Sequence, residues 1–157
     1  MQPTDTEIRI YPVSFAYILG HPARKRLLDE YAAECAQSEL GETMPQAELY
    51  EAMERSGSMR TFGVFLRDRL IGFAALLLYV LPHYGRKIAT PESIFIEKDS
   101  RSTGAGQKLL DFVERYAKYE GCVAVLYTAP TGSQFSRVLE SKSDYRHSNN
   151  VFIRKLA

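Results

Sequence analysis

From Ile71 to Leu81 the chain runs eleven residues without a charged side chain. The run is too short to cross a bilayer as a helix, which takes about 20 apolar residues. It reads as the main part of a strand over 70–81, apolar almost throughout and therefore buried on both faces. A fold built around such a strand needs a layer on each side of its sheet. A second strand over 60–66 precedes it, separated only by the polar turn Arg67-Asp68-Arg69, the spacing of a β-hairpin.

The remaining elements fit around that hairpin. Residues 7–13 alternate and form a first strand. Leu27, Leu28, Tyr31, Ala32 and Cys35 recur at helical spacing, which predicts an amphipathic helix over 22–37 with Pro22 in its first turn. A shorter helix starts near Thr43 to Pro45 and ends at Ser56-Gly57, with Leu49 and Met53 inward. Pro82, Gly85 and Pro91 mark an exposed loop, and 94–96 is a fourth strand. Leu109, Leu110, Val113, Tyr116 and Ala117 form one stripe of the clearest helix, which Gly121 is placed to cap. A fifth strand over 123–128, a helix around Phe135, Val138 and Leu139, and a last strand over 151–153 complete the order. The expected architecture is α/β (α+β): a mixed six- to seven-stranded sheet with helices on both faces.

The 157 residues suit one domain, 1–157, with its own core. Met1-Gln2-Pro3-Thr4-Asp5 lacks the basic and apolar regions of a secretory signal, and the two cysteines, Cys35 and Cys122, make no disulfide or cysteine-metal framework. The expectation is a cytoplasmic protein without a metal or membrane partner. His21, His83 and His147 lack metal-ligand spacing, and Cys122 opens an apolar strand as a core residue. The net charge of +1 makes no case for nucleic acid. Its distribution is uneven, however: between Leu27 and Glu54 there are eight acids and no Lys or Arg.

The segment 94–110 carries the chemistry. It reads strand, turn with Gly104 and Gly106, then helix. Glycines let a ligand approach the backbone, and a helix start offers unpaired N–H groups at the positive end of its dipole, which together favour an anion such as a pyrophosphate. A dinucleotide fingerprint wants a third glycine where Leu109 stands, and a P-loop wants Gly-Lys-Ser/Thr where Gly106-Gln107-Lys108 stands.

Arg101, Gly104 and Gly106 match Q/R-x-x-G-x-G/A, and the segment resembles the signature of the GNAT acetyltransferases. The preceding hairpin and the β-α-β end extend the similarity over about 8–156. The resemblance implies an acetyl-CoA-dependent N-acetyltransferase acting directly on a primary amine. Acetyl-CoA would lie along Ile94, Phe95 and Ile96, its pyrophosphate on the amides of Arg101, Ser102, Thr103, Gly104, Ala105, Gly106 and Gln107, with Lys98, Arg101 and Lys108 adding positive charge. Glu92 matches the family's general-base position; Glu97 is the alternative, which strand alternation puts on the opposite side.

The family's acid Tyr falls on Glu140 here and its upstream Asn on Ser133, a departure that leaves Tyr145 as substitute acid, with Tyr127 ambiguous. The acid-rich helices, including Glu39, Glu42, Glu48 and Glu51, would border the acceptor and favour a small cationic amine or a protein amine, although the loop His83-Tyr84-Gly85-Arg86-Lys87 is basic. An inactive GNAT-fold module binding acyl-CoA or a protein is the alternative. Edge strands at the chain ends allow a homodimer.

Overall fold

In a computed structural model, residues 7–156 are described, so the reading of Met1 to Asp5 lies outside them. Strands β1 (Ile8–Val13), β2 (Met59–Leu66), β3 (Arg69–Leu81) and β4 (Arg86–Ile96) form one antiparallel sheet in that order. The apolar run becomes β3, an interior strand whose residues from Leu70 to Leu76 are all buried.

The side chains of β3 feed two layers. Ile71, Ala74, Leu76 and Leu78 meet Leu109, Val113 and Ala117 of α4 (Ala105–Tyr119). On the other face Leu70 and Phe73 pack with Ile18 of α1 (Phe15–Gly20) and Leu27 of α2 (Arg24–Cys35). Ala75 joins Phe15 and Met59 there, beside Tyr50 and Met53 of α3 (Ala47–Ser56). Helix α4 ends as expected: Gly121 takes φ +79°, its amide reaches the Lys118 carbonyl and the next amide, Cys122, reaches Ala117. A last helix, α5, spans Gln134–Glu140.

The fold departs from the expectation in four places. Among the described residues four strands form, not six to seven. The stretch 123–128 makes a single parallel bridge, Val125 to Ala89, and 151–153 pairs with nothing among the described residues. The strand read as 94–96 begins eight residues earlier, at Arg86, and carries Pro91 within it. The helix read as 22–37 forms as α2, but a further helix, α1, stands before it where none was read. Ser14 caps α1 by accepting the Tyr17 amide at 3.0 Å, and His21, extended as a residue before proline tends to be, separates it from α2. Finally, α3 starts at Ala47, and it presents Tyr50 rather than Leu49 to the core; Leu49 is exposed.

Candidate active site

The site is organised by a bulge. Ala75 opposes Ser93 while the next residue of β3, Leu76, opposes Pro91, so Glu92 is an extra residue in β4. Before the bulge, Ala89 packs in the α4 core; after it, Ile94 and Ile96 do. The alternation has changed phase, and Glu92 and Ser93 are left on the same side, facing α1–α3. Pro91 falls in step with Ala89, whose amide points away from β3, so its missing N–H costs the β3–β4 ladder nothing.

This corrects the alternation argument for Glu97. Both carboxylates belong to the layer of α1–α3, but their surroundings differ. Glu97 is 1% exposed, is paired with Arg26 and with Arg69 (3.0 Å), and accepts from the Ser100 hydroxyl at 2.5 Å. It is a structural carboxylate. Glu92 is exposed and accepts a hydrogen bond from the Tyr50 hydroxyl at 2.9 Å.

Tyr50 was not singled out in the sequence. Its ring stacks on Phe15 at 3.7 Å between centroids and 4° between planes. Phe15 is fixed in turn: its amide donates to Glu54 Oε1 at 2.8 Å, which also accepts from Thr61 Oγ1 at 2.7 Å. Burial, then the nearby Glu92 carboxylate, push the Tyr50 pKa far above the ordinary tyrosine value, so its hydroxyl remains a donor. Tyr31 is shifted the same way by burial, then by Cys35 and Glu92. The spacing Tyr50, Met53, Glu54 on one helical face was the available signal. Beside them the buried Ser93 hydroxyl has no hydrogen-bond partner among the described residues.

One edge of β4 is open. Residues 123–126 run beside its first part, where Val123 N–H donates to Lys87 O at 2.9 Å, Ala89 N–H to Ala124 O at 3.0 Å and Leu126 N–H to Ala89 O at 2.9 Å. No such bonds continue past the bulge among the described residues. The Ile96 carbonyl faces this edge and accepts from Arg101 Nε at 2.9 Å. Ile94, two residues back, presents its amide and carbonyl there too. Phe95 does not: its backbone faces β3, and its ring is buried beneath the Arg101 guanidinium, 5.3 Å away.

The turn that follows is a 3₁₀ helix, Lys98–Thr103, closed by Gly104 at φ +83°. Lys108 N–H donates to the Gly104 carbonyl at 3.1 Å, and the amides of Ala105, Gly106 and Gln107 precede any intrahelical acceptor. Gly106 has an ordinary φ, and a Cβ placed on it meets nothing within 4 Å. The chain's own packing therefore does not require glycine at 106, where it costs about 1 kcal/mol against alanine. The bare backbone suits an anion seated on the helix start. Ala105 is buried under it, and Ser102 is exposed. The side chains of Thr103 and Gln107 are engaged by Ser100 O and Asp111 at 2.6 and 2.7 Å.

The Arg101 side chain does not point to that anion position. Its guanidinium pairs with Glu34 at 2.7 Å and donates to Gln134 at 3.1 Å, tying α2 to α5. The acid-rich segment is largely spent in such contacts. Asp29 pairs with Lys25, Glu51 with Arg55, Glu30 accepts the Lys98 amide at 3.1 Å and Glu54 holds Phe15. Among the described residues, Glu39, Glu42 and Glu48 form no ion pair.

Tyr145 and Glu92 are not brought together. Tyr145 donates to Glu114 of α4, as Tyr127 does at 3.2 Å, in the layer opposite α1–α3. Burial, then the Glu114 hydrogen bond, raise the Tyr145 pKa well above the ordinary value. Ser133 caps α5, its Oγ accepting the Ser136 amide at 3.1 Å. Glu140 accepts from Ser136 Oγ at 2.8 Å.

No curated protein matches the chain in sequence. Among solved structures, an aminoglycoside acetyltransferase from an uncultured soil metagenomic sample, in complex with sisomicin, aligns with a TM-score of 0.72 at 14% identity, over 98% of this chain and 99% of that one. A ribosomal-protein-alanine N-acetyltransferase from Brucella melitensis biovar Abortus 2308 aligns with a TM-score of 0.69 at 18% identity, over 94% and 98%. These likenesses establish the fold. The model of the acetyltransferase (GNAT) family matches residues 25–137. With that match over most of its length, the chain belongs to the GNAT acetyltransferase family.

Proposed function

We propose that the protein transfers the acetyl group of acetyl-CoA directly to a primary amine. The observation that carries this reading is Gly106: a glycine that the fold does not require, at the start of a fifteen-residue helix beside the open edge of β4. The amides of Ala105 to Gln107 would hold the pyrophosphate, and the Ile94 backbone the pantetheine arm. Acetyl-CoA, when bound, supplies the acetyl thioester.

Glu92 is the base in this reading. An ammonium has no lone pair, so it must first lose a proton, and Glu92 accepts that proton directly or through water. The nitrogen then bonds to the acetyl carbon while the carbon–sulfur bond breaks, the thiolate leaves with the electron pair, and the second proton that the nitrogen sheds in becoming an amide ends on the thiolate. Tyr50 holds the carboxylate in place. Tyr145, engaged by Glu114, has no part in the step, and the thiolate's proton is assigned to no side chain. Tyr31, Tyr50 and Glu92 favour a cationic acceptor, either a small amine or a protein amine.

A second reading, a GNAT-fold module that binds acyl-CoA without turnover, draws on the position of Tyr145 and on Glu140 standing where the family's tyrosine falls. Calorimetric titration with acetyl-CoA, with NAD as control, comes first; saturable binding of acetyl-CoA alone is expected, and its absence sinks both readings. Thiol release dependent on an added amine then separates them. In the enzyme, Glu92→Gln lowers kcat by about 100-fold or more while acetyl-CoA affinity is kept.

A further inference from the structure

The proposed reaction uses no residue of the basic loop between β3 and β4, and the register of that hairpin divides its cations. Leu78 and Ala89 are paired and lie in the α4 core, so the pairs Leu77 with Thr90, Tyr79 with Ile88 and Leu81 with Arg86 face the α1–α3 side. Lys87 is on the α4 side and is engaged there: it pairs with Glu120 at 3.4 Å and donates to the Glu120 carbonyl at 3.0 Å. Arg86 is exposed and, among the described residues, forms no ion pair. Glu92, on the same face of β4, forms none either.

The face between these two charges is open. Strand β2 begins at Met59, opposite Leu77, and the apolar cluster beside α3 ends at Leu77 as well. Beyond it Tyr79 is 41% exposed. Its strand partner is Ile88, yet its hydroxyl shares a hydrogen bond with Thr90 Oγ1 at 3.2 Å, so the ring lies lengthwise along the hairpin, toward Glu92. In the acetyl-transfer reading the coenzyme takes β4 from Ile94 onward and the turn after it, which leaves the opposite direction to the acceptor. An acceptor running that way meets a carboxylate, then hydroxyls and an aromatic face, then a guanidinium. At a strand rise of roughly 3.3 Å per residue the two charges stand about 20 Å apart. A polyamine of that length would bring a cation to Arg86. An extended polypeptide spans the distance in about six residues and can carry an anion at its far end.

We propose that the acceptor is the α-amine at the start of a polypeptide, which lies extended over Thr90 and Tyr79 with its amine at Glu92 and an acidic side chain, about six residues on, at Arg86. This deepens the acetyl-transfer reading and rests on it. Thiol release from acetyl-CoA tests it with three acceptors: a peptide of about eight residues with a free α-amine and Glu at about residues five to seven, the same peptide with Arg there, and ethanolamine. The Glu peptide should be favoured over the Arg peptide about tenfold in kcat/KM, the difference lying in KM. Arg86→Glu should reverse that order, and Tyr79→Ala should raise KM for the Glu peptide about fivefold. Equal use of the two peptides, a preference that Arg86→Glu leaves in place, a KM that Tyr79→Ala does not move, or release with ethanolamine and neither peptide overturns the proposal. Release with none of the three while acetyl-CoA still binds overturns the acetyl-transfer reading, and this inference with it.

Discussion

Gly104 and Gly106 stand two residues apart and are glycine for different reasons. Gly104 needs a left-handed backbone, so Gly104→Ala should cost about 1–2 kcal/mol of stability whether or not a ligand binds. Gly106 needs nothing from the fold, so Gly106→Ala should leave stability unchanged or raise it by up to about 1 kcal/mol. In the acetyl-transfer reading, the same substitution weakens acetyl-CoA binding at least about tenfold, because the new methyl stands where the anion sits. Denaturant melts and calorimetry on the two variants separate these effects. Tyr50 gives a second contrast. Tyr50→Phe keeps the stack on Phe15 but removes the bond to Glu92. A drop in kcat of about tenfold, with acetyl-CoA affinity unchanged, is expected from losing a hydrogen bond to a charged group. An unchanged kcat would show that Glu92 needs no such support.

At the scale of elements, α2 holds the signature turn through a stripe of residues four apart. Arg26 pairs with Glu97, Glu30 accepts the Lys98 amide and Glu34 pairs with Arg101. Residues at i and i+4 share a helical face, so one side of α2 grips the end of β4 and the turn after it. Arg26→Ala leaves Glu97 buried with Arg69 as its remaining cationic partner and should destabilise by about 3 kcal/mol in urea melts. Helical spacing located α2, but it gave no sign that this acidic stripe was bound to the turn rather than facing an acceptor. The β3–β4 pair has its own close contact. A Cβ at Gly72 would sit 2.4 Å from the Phe95 carbonyl, so Gly72→Ala must push the strands apart. An expected loss of about 1–3 kcal/mol would appear as a fall in Tm of roughly 2–4 °C per kcal/mol.

For the whole molecule, the expected gain on ligand binding is thermal. Acetyl-CoA at 100 times its Kd should add about 2.7 kcal/mol and raise Tm by roughly 5–10 °C, and NAD should leave Tm unchanged. The hairpin, the two-faced sheet and the strand-turn-helix signature were all legible in the sequence, because each rests on local periodicity or on glycine placement. The strand count was not. Residues 123–128 and 151–153 have strand composition, but composition does not say how far a neighbouring edge will pair with them. The Tyr50–Glu92 contact was also hidden, since it joins residues 42 apart. So was the relation of Glu92 to Glu97, because the bulge that sets it is a property of two paired strands and not of one. That single added residue turns everything after it by half a revolution about the strand axis. Shortening β4 by one residue there would undo the rotation, sending Ile94 and Ile96 toward α1–α3 and Phe95 and Glu97 toward α4. The position can accept a change of side chain, but it cannot accept a change of length.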